Sequence, residues 1–372
     1  MSLFDPLFGS DRVAAELSDE AWVRTLIEVE VALARAAAGC GLVSAGAAAQ
    51  VTGVAAELVV DVEALGVAAV EGGNPVIPLV RLLRAAAGDA GPAVHVGATS
   101  QDVLDTALVL LVRRAAAVLR EDLAGAADAA ALHARVHRDT PMAARTLGQQ
   151  ALPTTFGLVA AGWCAGLDHA RAALSVVVDG LPVQLGGAAG TLAALYPHGL
   201  DVGRVLAAEL GLPWAPPWHT ERTRVGALAG ALGVAAGACA KPATDIVLLA
   251  GTELGEVSEA VPGDSSSMPH KHNPIAAVTA RAAARRAPGL VATLLASMEH
   301  EHQRAVGAWH AEWPTVTELL RVTGGAASRL RTSLEGLQVH PGSMATHVPA
   351  GELVHHAGEL VDHVLDTRQE TA

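Results

Sequence analysis

The sequence predicts an all-α protein organised around a bundle of long helices, and three observations carry that expectation. Hydrophobic residues make up 51% of the 372 but aromatic residues only 3%, so alanine, valine and leucine supply the apolar content. Alanine-rich apolar content favours long, closely packed helices over sheets. Strand-like alternation is almost absent, and several helical stretches are of the length that packs as a bundle. The chain is also long enough for a large core and for two or three domains.

The elements follow in order. Residues 11–40 read as helix, with Asp19 and Glu20 near a helix start and an amphipathic run through Ile27, Val31 and Ala34. Gly72-Gly73-Asn74-Pro75 breaks that pattern. A second break, His95-Val96-Gly97-Ala98, precedes Thr99 and Ser100, either of which can cap a long helix running to about Arg138. Pro153 can open another helix that ends near Gly180. Residues 181–190 form a glycine-rich connection. A long helix is expected from about Thr220 to Ala260, with Pro242 as a kink. Asn273 to Ala296 and Ala311 to Leu337 complete the set. The His-rich stretch 339–372 has room only for a small helical appendage. There is no solenoid period and no low-complexity linker.

Charge and composition narrow the function. With 38 acidic against 25 basic residues the formal charge is −13, and no basic block or aromatic-basic stripe interrupts it. Nucleic-acid binding is therefore not expected, and an anion would have to be held by a local basic pocket. Cys40, Cys164 and Cys239 are odd in number and far apart, so they read as buried small hydrophobes. The start, Met1-Ser2-Leu3-Phe4-Asp5-Pro6, lacks a basic region followed by an apolar run, which points to a cytoplasmic protein. Val225 to Ala240 is uncharged but short for a membrane span, and reads as a buried bundle helix. Gly186-Gly187-Ala188-Ala189-Gly190 is not a dinucleotide fingerprint. His270/His272 and His300/His302 are each separated by one residue, a spacing that does not put both rings on one helical face. Neither a metal nor an organic cofactor is expected.

Three polar clusters interrupt the apolar helices. The first is His95-Val96-Gly97-Ala98-Thr99-Ser100-Gln101-Asp102, where hydroxyls and free amides at a helix start suit a carboxylate. The second is Arg145-Thr146-Leu147-Gly148-Gln149-Gln150. The third is Ser265-Ser266-Ser267-Met268-Pro269-His270-Lys271-His272-Asn273-Pro274, which concentrates hydroxyls, a cation and an amide between two prolines. Taken singly, the first is also an ordinary helix cap and the second a solvated turn. The third is not linker composition.

Together the clusters resemble the three homology regions of the fumarase/aspartase superfamily. His95 through Ala107 match H-x-G-x-T-S-x-D-x-x-D-T-A at every fixed position. Arg145, Thr146 and Gln149 match R-T-x-x-Q, and the serine loop is similar to S-S-x-M-P-x-K-x-N-P. Finer details look most like the 3-carboxy-cis,cis-muconate cycloisomerase branch: Gly73 to Val80, Leu185 to Leu192, Trp218-His219-Thr220 with Arg222, and Gly307 to Trp313. Leu147 and Val278 stand where adenylosuccinate lyases usually carry histidine and glutamate. Asp264, Gln303 and Thr223 depart from residues common in the superfamily.

The resemblance implies a three-part chain: an N-terminal helical domain (1–94), a central helix-bundle domain (95–338) and a shortened C-terminal helical segment (339–372). It implies lactonisation of 3-carboxy-cis,cis-muconate, in which one carboxylate adds to the conjugated diene and the carbon α to another is protonated. A same-fold lyase on another anionic substrate, such as 3-sulfomuconate or a succinyl adduct, is the alternative; an inactive structural homologue is a third. In this reading Ser265 moves the proton, and Lys271 with Asn273 stabilises the aci-carboxylate. His95, Thr99, Ser100, Gln149, His219, Arg222, Ser266, Met268 and Arg304 bind the small polycarboxylate. The resemblance also implies a homotetramer with sites shared between subunits.

Overall fold

The computed structural model describes residues 3–268, 270–348 and 354–371, and it is mostly helical. The N-terminal part is a set of helices with side-chain caps. Ser18 starts Asp19–Gly39, Ser44 starts Ala45–Glu57 and Asp61 starts Val62–Gly72, each accepting a backbone N–H three residues on. Gly73, at φ 70°, stops the third of these, and Asn74 Oδ1 accepts from Val76 N at 3.1 Å as Val76–Ala87 begins. On Asp19–Gly39 the buried stripe runs through Leu26, Val29, Leu33 and Ala37. Of the three residues expected on the apolar face, Ala34 is buried, whereas Ile27 and Val31 are only half-buried. Glu30 lies on the buried stripe and is itself fully buried.

The core is the bundle of Ser100–Val136, Phe156–Asp179, Thr223–Leu249, the pair Ile275–Ala284 and Ala287–Ala296, and Ala308–Glu335. Its 37-residue member spans about 55 Å at 1.5 Å per residue. Buried alanines at 107, 115, 116, 126, 127, 130 and 134 line that helix and let its neighbours approach closely. Successive members run in opposite directions. The bundle therefore has two ends, one around Arg222 and Asp105, the other around Glu256 and Glu259.

Several boundaries differ from the sequence reading. Pro153 does not open a helix. It lies in a strand, Gln149–Thr155, paired antiparallel with Pro141–Thr146, and the helix starts at Phe156 with Thr155 as its cap. Leu147 and Gly148 form the two-residue turn of that hairpin at φ 52° and 77°, the positive angles such a turn requires. The helix expected to reach Ala260 ends at Leu249, because Val257–Glu259 pairs with Leu337–Val339 instead. Asn273 to Ala296 is two helices, the second opening at Ala287 with Pro288 in its first turn. Thr223–Leu249 has the length and apolarity of a membrane span, but it packs along four other bundle helices, as the sequence suggested.

Candidate active site

At the Arg222 end the polar groups form a continuous buried network. The Thr99-capped helix start brings Gln101, Asp102 and Asp105 inward. Asp102 Oδ1 accepts from Gln184 Nε2 and Gly186 N, both at 2.9 Å, while Oδ2 accepts from Gly187 N at 2.8 Å and Thr99 N at 3.0 Å. Burial pushes this carboxyl up, and the four hydrogen bonds pull it back only in part. Gly187 sits at φ 68° and brings its N–H to that carboxylate.

Arg222 is fully buried between two carboxylates. It donates to Asp105 at 2.7 and 3.3 Å, and to Glu312 through Nε at 3.0 Å and through Nη2. Its guanidinium also lies 4.8 Å from the Trp218 ring centroid. Trp309 Nε1 donates to Asp105 at 2.9 Å, and His300 Nε2 lies 3.2 Å from Glu312. Burial works against the Glu312 carboxylate, yet His300 and Arg222 outweigh it and hold the group below its ordinary range. The expectation that Arg222 grips a substrate carboxylate is corrected here. Its nitrogens are committed to the protein and none is accessible.

The other residues expected at this end divide in the same way. Arg304 donates to Gln101 Oε1 at 3.0 Å and to Gly187 O at 2.5 Å, tying the helix start to the glycine-rich connection. His219 is buried, its backbone oxygen accepts from Gln101 Nε2 at 2.7 Å, and its Nδ1 has no partner among the described residues. Burial first, then the Arg304 and Arg222 charges, hold its pKa below the usual histidine value. A Cβ on Gly190 would come 2.4 Å from His219 Cε1, so that ring position requires the glycine. His95 Nδ1 pairs with Glu30 Oε1 at 2.7 Å. Thr99 and Ser100 are half-buried beside it.

The remaining candidates lie at the opposite end. The serine loop leaves Glu259 and is closed at its base by Gly263 and Asn273, whose backbones exchange hydrogen bonds of 2.8 and 3.4 Å. Asn273 Nδ2 donates to Gly263 O at 3.3 Å, so its amide serves the loop closure. Ser265 Oγ accepts from Met268 N at 3.1 Å, a contact that favours negative charge on that oxygen. Ser266, Met268 and Lys271 are exposed; Pro269 lies outside the described residues. Buried Glu259 accepts from Ala276 N at 3.0 Å, Ala277 N at 2.8 Å and Ser333 Oγ at 2.6 Å, thereby capping the helix that follows the loop.

The hairpin carrying Gln149 belongs to this end. Arg145 forms a two-pronged pair with buried Glu256 at 2.9 and 2.6 Å, and His347 Nδ1 adds a contact at 2.8 Å. Gln149 itself is exposed on the hairpin.

One chain thus brings His95, Thr99, Ser100, His219, Arg222 and Arg304 to one end, and Gln149, Ser265, Ser266, Met268, Lys271 and Asn273 to the other. Thr223–Leu249 runs between these ends, and its 27 residues place them about 40 Å apart. Among the described residues no three His, Cys, Asp or Glu side chains gather as a metal-binding group. Sequence reasoning gave no role to Glu30, Glu256 and Glu259, nor to Asp105 and Glu312, although the last two lie inside the matched stretches His95–Ala107 and Gly307–Trp313. Glu30 left a signal as well, as a charge on an apolar stripe.

The comparisons with known proteins agree with this architecture. A family model described as a lyase matches residues 9–289. A 3-carboxy-cis,cis-muconate cycloisomerase of Pseudomonas aeruginosa is 45% identical over 346 residues, spanning 91% of this chain and 75% of the relative. A nitrosuccinate lyase of Streptomyces davaonensis is 43% identical over 362 residues, spanning 93% of this chain and 76% of the relative. The crystal structure of β-carboxy-cis,cis-muconate cycloisomerase from Acinetobacter calcoaceticus sp. ADP1 matches with a TM-score of 0.88 at 34% identity, covering 100% of this chain and 88% of that one.

Proposed function

We propose a reaction from one premise: this chain belongs to the lyase family of the fumarase/aspartase superfamily. Its substrate in this reading is 3-carboxy-cis,cis-muconate. A substrate carboxylate closes onto the conjugated diene to form the lactone ring, and the carbon α to a second carboxylate gains a proton. The intermediate is an aci-carboxylate, and a fixed cation aimed at it lowers the barrier. The observation that carries the reading is the serine loop. It is pinned at its base by Glu259 and by Gly263–Asn273, while its tip presents Lys271 and a Ser265 Oγ that receives a backbone N–H. Ser265 delivers the proton, Lys271 meets the developing charge, and Gln149 joins them from the neighbouring hairpin.

The same reading places the complementary carboxylate-binding groups, Thr99, Ser100, His95 and His219, on other copies of the chain. The separation of about 40 Å along Thr223–Leu249 supports a shared site, since no single chain can close it. So does the outward face of that helix, where Ala227, Gly230, Val234 and Gly237 are exposed at a spacing of three to four residues. A homotetramer joined through this face completes the sites.

A second reading has support of its own. The nitrosuccinate lyase is nearly as similar as the cycloisomerase, and that name describes an elimination from a succinate. Asp264 at the loop entrance, a carboxylate where the superfamily favours glycine, is compatible with a substrate bearing fewer negative charges. A substrate panel followed by ultraviolet absorbance separates the two. The panel comprises 3-carboxymuconate, 3-sulfomuconate, nitrosuccinate, adenylosuccinate, argininosuccinate and fumarate. Loss of the diene band with 3-carboxymuconate alone is the expected result; turnover of nitrosuccinate with an inert muconate overturns it.

A further inference from the structure

The buried carboxylate Glu30 has no task in the reaction described so far. It sits mid-helix in Asp19–Gly39, on the face that packs against Ser100–Val136, and is fully buried. Its Oε1 lies 2.7 Å from His95 Nδ1, and its Oε2 has no hydrogen-bond partner among the described residues. His95 sits at φ 62°, a backbone conformation that a side chain other than glycine adopts at a cost. The imidazole is thus held by a helix distant in sequence, in the turn that leads to the Thr99 cap.

We infer that Glu30 is a positioning residue for His95, holding the imidazole as the Nδ1–H tautomer so that Nε2 is the nitrogen left to exchange a proton at the active site. A carboxylate only accepts, so the nitrogen facing it carries the hydrogen. A histidine whose one nitrogen is engaged this way has a fixed ring orientation and a defined free lone pair. Neighbouring charges do not compete for the pair. Glu28, on the same helix, is taken by Arg114 at 2.9 and 2.7 Å. Asp102 is saturated by Gln184 and three backbone N–H groups, and Arg304 is spent on Gln101 and Gly187. Arg35, also on that helix, faces Glu209 at 3.8 Å, while on the neighbouring helices Glu57 and Glu63 are exposed. The competing role for Glu30 is that of a strut joining two helices, which would act on stability and not on His95 chemistry.

The inference rests on the reading that the His95 end faces substrate, and its test separates the two. In the assembled enzyme, Glu30→Leu removes the acceptor, whereas Glu30→Gln keeps an oxygen able to receive Nδ1–H. The expected order of kcat is wild type, then Glu30→Gln, then Glu30→Leu, the last down roughly 10- to 100-fold with KM little changed. In a His95→Gln background Glu30→Leu should cost nothing further. Equal losses in both backgrounds, or an unchanged kcat in Glu30→Leu, would overturn the inference. Solid-state NMR of protein carrying ¹⁵N-histidine, with the His95 signal identified by His95→Gln, reads the pair without any substrate. A single Nδ1–H tautomer that becomes mixed in Glu30→Leu supports the inference even where the substrate assignment fails, and a tautomer unaffected by Glu30→Leu refutes it.

Discussion

Arg222 shows how a residue's chemistry can be right and its task different. A guanidinium does bind two carboxylates here, but they are Asp105 and Glu312, 117 and 90 residues away. Nothing in the local sequence around Arg222 reveals partners at that distance, so the motif pointed to carboxylate binding without saying whose. Arg222→Met should leave both acids buried without the cation they share, with only Trp309 and Gln101 on Asp105 and His300 beside Glu312, and cost about 3–5 kcal/mol, read as a lower urea midpoint. An unchanged midpoint would mean that the network contributes nothing to folding. Ser265 is the opposite case, since removing its hydroxyl touches one backbone contact at an accessible loop. Ser265→Ala should lower kcat by at least about 10²-fold while the helical circular dichroism stays the same. Lys271→Ala should raise KM as well as lower kcat, because in the proposed reaction that cation meets charge before and during the chemical step. Normal turnover in Ser265→Ala would move the proton transfer elsewhere.

At the level of elements, the serine loop depends on the acid that precedes it. Glu259 ends one strand and caps the helix on the far side of the loop, so a single side chain holds both ends together. Glu259→Ala leaves two N–H groups and the Ser333 hydroxyl without their acceptor, at a cost of about 1–3 kcal/mol. Hydrogen exchange at residues 275–280 should accelerate, and exchange there at the wild-type rate would contradict the capping role. The long helices were readable because alanine-rich runs and polar breaks at 72–75 and 95–98 mark their limits. The hairpins were not. Pro141–Thr146 and Gln149–Thr155 contain two prolines and little alternation, so neither strand stands out from its own sequence. The strand Val257–Glu259 was missed for a related reason: its partner, Leu337–Val339, lies far along the chain. Glu30 shows the limit of periodicity: a stripe marks which face is buried, but not that an acid on it pairs with a histidine 65 residues away.

Across the whole molecule, the three clusters were identifiable as chemistry but not as places. The sequence orders them along the chain, whereas the bundle sends them to two ends about 40 Å apart. A site that needs both ends needs more than one copy. Gly230 lies on the exposed face of Thr223–Leu249, where an added Cβ would meet nothing within 4 Å. Gly230→Glu should therefore leave the fold of the chain intact and weaken assembly, with light scattering reporting smaller species and activity falling in step. A fully active monomer would refute the shared site. The most direct test is complementation between two inactive variants, Ser265→Ala and the double variant His95→Gln/Thr99→Ala, each folded and assembled on its own. Because their defects lie at opposite ends of the bundle, mixed assemblies should contain some sites built from intact ends, and activity should return when the two are co-expressed. Mixed assemblies that form and stay inactive would contradict a site shared between chains.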